Sequence, residues 1–125
     1  MGFHHVENSL YLGGGHLDGQ YFSRFSKILP DGEITELKKM STPKCYFSMA
    51  LWKEKNALFT LGGWNKSDLN AVNSYSLPKN TLKLHSLLPK GINNSSAVVL
   101  YTVLYNLGGY RSPHSLMWCR LAYNE

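Results

Sequence analysis

In the middle of the chain, apolar and polar positions alternate in short runs separated by turn residues. "FSMALW" (47–52) is followed by the polar "KEKN", after which "ALFTLGG" (57–63) returns. Runs of this length with a two-residue period, joined by a tight polar turn, predict a β-hairpin. A polar loop, "WNKSDLN" (64–70), leads to "AVNSYSL" (71–77), and the turn "PKN" brings back "TLKLHSLL" (81–88) before Pro89. Proline presets φ in such a turn and asparagine tolerates the left-handed conformation. This stretch therefore predicts a four-stranded antiparallel meander.

The same pattern stands before and after it. Upstream, "FHHV" and "SLYLGG" are expected to pair across Glu7 and Asn8, "YFSRFSKIL" follows a loop, and "PDG" turns into "EITELKKM". Downstream, "SAVVL" turns at Tyr101 and Thr102 into "VLYNLGG", and "SLMWCRLAYNE" follows. Leu10, Leu58 and Leu104 align, as do Tyr11, Phe59 and Tyr105. Each second strand ends in a glycine pair, Gly14 and Gly15, Gly62 and Gly63, Gly108 and Gly109, at spacings of 48 and 46 residues. A glycine pair is costly in backbone entropy unless the chain needs φ > 0 there or passes close to another backbone. Self-similarity at this period indicates a repeat architecture, whose units bury their apolar faces by stacking on one another. The expected fold is all-β, with eleven or so strands grouped four, four and three, and no helix beyond about two turns.

The pattern resembles the kelch repeat, whose units carry a glycine pair at the end of the second strand, an aromatic about a dozen residues on, and a later large apolar position. Tyr75 stands 12 residues after Gly63 and Tyr123 stands 14 after Gly109. The first repeat departs, with Lys27 at 12 after Gly15 and Phe25 nearby, and Leu84 and Ile34 replace the family's later tryptophan. The resemblance implies a partial kelch-type β-propeller of antiparallel four-stranded blades. Residues 1–43 and 44–90 form complete blades, and 91–125 a third that lacks its outer strand. Propellers close with about four to eight blades. The chain is therefore expected to be part of a longer propeller or to complete its ring with a second chain, the first being preferred. Uncovered sheet faces and unpaired edges recruit other polypeptide, which is expected against both ends.

Composition narrows the function classes. The net charge of +5 comes from 13 Lys and Arg against 8 Asp and Glu, but the cations are scattered beyond the pair Lys38 and Lys39. Nucleic-acid binding calls for a clustered stripe with interleaved aromatics, so none is expected. No apolar run reaches the roughly 18 residues of a membrane span, and "AVVLYTVLYNL" (97–107) is broken by Thr102 and Asn106. "MGFHHVENSLYL" lacks the basic and apolar regions of a secretory signal, and Val6 stands where a myristoylation signal has Ser or Thr. Cys45 and Cys119 occupy unlike repeat positions and are expected to be free thiols of a cytoplasmic protein. In that setting the sequons at Asn65 and Asn94 carry no meaning.

Catalytic patterns are absent at this level. His4 and His5 are neighbours on an expected strand and point to opposite faces. His16, His85 and His114 lie in separate elements, with no Cys or carboxylate at ligand spacing, so neither a metal nor another cofactor is expected. "LGGGHLDG" (12–19) lacks the Gly-Lys-Ser/Thr ending of a phosphate-binding loop, and no serine sits in a G-x-S-x-G elbow. Thr42-Pro43 and Ser112-Pro113 read as turn prolines. The expected class is therefore not an enzyme. The alternative is a portion of a propeller enzyme of oxidase or sugar isomerase type, its site at the ring centre.

The resemblance implies a protein-binding platform, either cytoskeletal or associated with a ubiquitin ligase. Its binding loops share one rim, at 16–20, 41–44, 64–70, 89–94 and 110–114. Candidate contacts are His16, Asp18, Trp64, Lys66, Asp68, Tyr110, Arg111 and His114, with Lys44 and Lys90 from the linkers between repeats. Lys44, Lys66, Lys90 and Arg111 against Asp18 and Asp68 make a mildly basic rim, which suits an acidic partner surface.

Overall fold

The computed structural model describes residues 9–110 and 115–121, together with the backbone of 2–6. The first repeat holds β1 (Gly2–Val6), β2 (Ser9–Gly13), β3 (His16–Leu17), β4 (Gln20–Tyr21), β5 (Phe25–Ile28) and β6 (Ile34–Glu36). The second holds β7 (Ser48–Trp52), β8 (Ala57–Leu61), β9 (Ala71–Ser76) and β10 (Thr81–Leu87). The third holds β11 (Ser96–Leu100), β12 (Val103–Leu107) and β13 (Leu116–Arg120). Among the described residues the only helical turn is the short 3-10 segment Lys53–Lys55, and no helix is long and apolar enough to cross a membrane.

The strands form three antiparallel sheets, β1-β2-β5-β6, β7-β8-β9-β10 and β11-β12-β13, besides a small β3–β4 hairpin. They are called sheets one, two and three below. Turn chemistry sets the registers. Asn80 takes φ +50 at the end of the "PKN" turn, Gly32 takes φ +90 in "PDG", and Tyr101 takes φ +56 in the two-residue turn of sheet three. At Asp31 the side chain accepts the Glu33 N–H at 2.9 Å, which closes that turn locally.

Alternation along the strands divides each sheet into two faces, and stacking buries the facing pairs. Tyr11 and Phe25 of sheet one pack on Met49, Leu58 and Tyr75 of sheet two. Ala50, Trp52, Phe59, Leu61 and Val72 of sheet two pack in turn with Leu104, Met117 and Leu121 of the third repeat. The Phe25 and Tyr75 rings stack at 4.2 Å between centroids, and the Tyr75 hydroxyl donates to the Lys38 carbonyl at 3.1 Å. A buried aromatic contributes about 2–3 kcal/mol through the area removed from water, provided its polar tip is satisfied. Burial also pushes the Tyr75 phenol well above its ordinary pKa.

Two stretches of the first repeat fold differently from the alternation pattern. Residues 16–21, expected as a loop and the start of a strand, close into the β3–β4 hairpin because Asp18 and Gly19 both take positive φ, at 50° and 79°. An Asp-Gly pair is a strong signal for a two-residue turn of this kind. The expected long strand over 33–40 ends at Glu36. Beyond it the chain crosses toward sheet two, where the Lys38 N–H donates to the Asn80 side chain and Met40 enters the core.

Candidate binding rim

The glycine pairs are the joints of this stack. The first glycine of each pair has φ between 62° and 69°, and the second between 115° and 127°. The N–H of the first glycine donates across its own sheet, Gly14 to Arg24, Gly62 to Ala71 and Gly108 to Ser115, at 2.9, 3.0 and 2.9 Å. The second glycine donates to the linker that enters the next sheet, Gly15 to Lys44 at 2.9 Å and Gly63 to Ile92 at 2.8 Å. A Cβ at Gly14 or Gly62 would overlap those same linker carbonyls. Positive φ and close backbone approach therefore act together at each joint.

The residue after each later pair begins the rim. Trp64 pairs antiparallel with Cys45 and also with Asp68, and Tyr110 N–H donates to the Asn93 carbonyl at 2.8 Å. The loop following Trp64 is held on both sides. Asn65 donates its side-chain N–H to the Pro43 carbonyl at 2.6 Å, while the Asp68 carboxylate accepts from the Asn93 side chain. Tyr46 and Asn94, at corresponding places in the two linkers, both take φ +55, and the Asn94 N–H donates to the Tyr46 carbonyl at 2.9 Å.

These constraints bring Tyr46, Trp64, Asn93, Asn94 and Tyr110 around one cleft of about 240 Å³. Tyr46 and Tyr110 are 50% and 58% exposed, and Trp64 is half-buried. Rings fixed at their backbones but open at their faces are suited to desolvated contact with another chain.

Trp64 and Tyr110 line this cleft, Asp68 is bonded to Asn93 beside it, and Lys66, Asp68 and Lys90 are exposed. His16 and Asp18 sit on the β3–β4 hairpin, exposed, with the His16 ring 4.7 Å from that of Tyr21. Arg111 and His114 fall outside the described residues, as does Tyr123. Lys44 departs from the expected rim. It is 1% exposed, with Nζ 5.3 Å from the Phe47 ring centre, and burial lowers its pKa to about 8. With Lys44 inside, the exposed rim charges among the described residues are Lys66 and Lys90 against Asp18 and Asp68, and Arg111 lies outside them.

Sequence reasoning missed Tyr46, whereas Asn93 and Asn94 fell within the expected rim loop 89–94 without being singled out as contacts. The available signal was the alignment of the two linkers, 44–48 on 92–96, which the glycine spacing already implies.

Burial raises the Cys45 thiol pKa, and its Sγ lies 3.7 Å from the Trp64 carbonyl oxygen. Cys45 and Cys119 are not joined in a disulfide. Among the described residues no three His, Cys, Asp or Glu side chains gather as metal ligands. No family model matches the chain, and no curated protein matches it.

Proposed function

We propose that the chain is a kelch-type propeller segment that binds a protein partner through its rim, with Tyr46, Trp64 and Tyr110 as the anchoring contacts. The observation that carries this is the cleft itself, assembled from corresponding positions of consecutive repeats and lined by exposed aromatic rings and amides. Trp and Tyr dominate binding energy where they fill or line a pocket, and loops on a packed sheet scaffold vary without disturbing it. Aromatic contact anchors recognition at this cleft, and Arg111 with Lys66 and Lys90 suits an acidic partner surface around it.

Peptides selected from a random display library on the immobilised chain test this. The Trp64→Ala/Tyr110→Ala double variant is expected to bind them at least about tenfold more weakly with an unchanged melting temperature. Lys55→Glu/Lys79→Glu, in the turns at the opposite ends of the strands, is expected to leave binding intact. Loss of binding in the second variant and not the first would contradict the assignment of the rim.

A further inference from the structure

Sheet three repeats the antiparallel pairing of the sheets before it with three strands, yet among the described residues its outward face is uncovered. By strand register, Val98, Tyr105 and Trp118 form one row across the sheet, and Ser96, Leu107 and Leu116 form the next. The counterparts of Tyr105 in the earlier repeats, Tyr11 and Phe59, are 5% and 1% exposed, and Leu61, the counterpart of Leu107, is 1% exposed. Leu107, Leu116 and Trp118 are 45%, 56% and 62% exposed.

The opposite end of the stack shows the complementary half. Leu10, Ile28 and Ile34 form an apolar row on the outward face of sheet one, beside a row of Leu12, Ser26 and Glu36 on which Arg24 and Glu36 form an exposed ion pair. Leu58 and Leu104, the counterparts of Leu10, are 0% and 1% exposed, and Leu82, which strand register places at the position of Ile34 in place of the expected Leu84, packs against the core between sheets one and two. Ile34 itself is 55% exposed. The molecule makes this sheet-on-sheet contact twice internally and displays its two halves at its two ends. Apolar faces of this kind mark interaction surfaces.

We infer that two copies of the chain associate head to tail, sheet three of each on sheet one of the other. The contact continues the internal stacking, and its closure into a ring rests on the propeller assignment above. A head-to-tail contact gives a ring when the rotation per unit closes and a filament when it does not. The described residues of two copies supply six such sheets, a number within the roughly four to eight blades of closed propellers.

Sedimentation of the 125-residue chain tests the inference, with an expected mass twice the chain's 14.1 kDa. Trp118→Glu and Ile34→Glu each break both contacts of the ring. Each alone is expected to raise the dimer dissociation constant at least about 100-fold, because a carboxylate is then buried in an apolar face. Both positions are exposed in the single chain, so folding is retained, as a cooperative melt of each variant verifies. Mixing the two variants is expected to restore a dimer through the one intact pairing. A dimeric Ile34→Glu variant would reveal pairing of sheet three with sheet three and overturn the inference. A wild-type monomer that still binds the rim-selected peptides would overturn the dimer alone, whereas an open ladder of masses would overturn ring closure and the propeller assignment together.

Discussion

Replacing Gly62 by valine is expected to remove about 4 kcal/mol of stability, a large share of the margin of a small domain. Two effects add at this position. Its φ of +62 is disfavoured for any residue with a Cβ, at a cost of about 1–2 kcal/mol, and most strongly for a β-branched one. The new Cβ would also overlap the Ile92 carbonyl oxygen, which accepts the Gly63 N–H, so the joint between sheets two and three must open. Gly19 separates these effects. Its φ is +79, but nothing lies within 4 Å of a Cβ built there, so Gly19→Val is expected to lose only the backbone share, about 1–2 kcal/mol. Urea denaturation of the two variants measures the difference, and equal losses would place the cost in φ alone.

The second large effect runs the other way, because Lys44→Met is expected to stabilise the protein. Lys44 occupies the linker position that Ile92 fills in the next repeat, and both are 1% exposed. Burial holds its pKa at about 8 against an ordinary 10.5, which corresponds to about 3 kcal/mol against the charged form. Contact with the Phe47 ring offsets part of this cost. A gain of about 2 kcal/mol is expected at pH 7, since methionine keeps the apolar stem and removes the charge. The sign of the pH dependence follows from the lowered pKa. Between about pH 8 and 10.5 the unfolded chain holds the Lys44 proton and the folded chain does not, so wild-type stability rises through that window. The advantage of the variant is therefore full below about pH 8 and fades toward 10.5. Denaturation midpoints at pH 7 and pH 10 check this, and a constant difference would mean that Lys44 is not desolvated.

The features legible in the sequence were those with local causes. Period-two alternation marked the strands of sheet two, and the "PKN", "PDG" and Tyr101–Thr102 turns appeared where residue chemistry placed them. The glycine pairs announced positive φ. The β3–β4 hairpin was also local, and Asp18-Gly19 is a turn signal that a reading of 16–20 as loop passed over. The shortened β6 and the burial of Lys44 have a different origin. Both are set where the chain passes between sheets, and nothing in "EITELKKMSTPK" says which residue will be enclosed by Phe47 and the backbone of Gly63. The site was half legible for the same reason. Trp64 and Tyr110 follow the glycines and stood out, whereas Tyr46 joins them only because the linker beside sheet two turns at φ +55.

The three tryptophans report separately on the three regions of this account. Trp52 is buried in the core, Trp64 borders the rim cleft, and Trp118 lies on the outward face of sheet three. Their indole N–H resonances, followed by two-dimensional NMR while a rim-selected peptide is added, test directly whether the rim is the binding surface. The predicted result is a saturable shift of the Trp64 signal, with Trp52 and Trp118 unmoved. A shift of Trp118 with Trp64 unmoved would place binding on the end of the stack and contradict the rim.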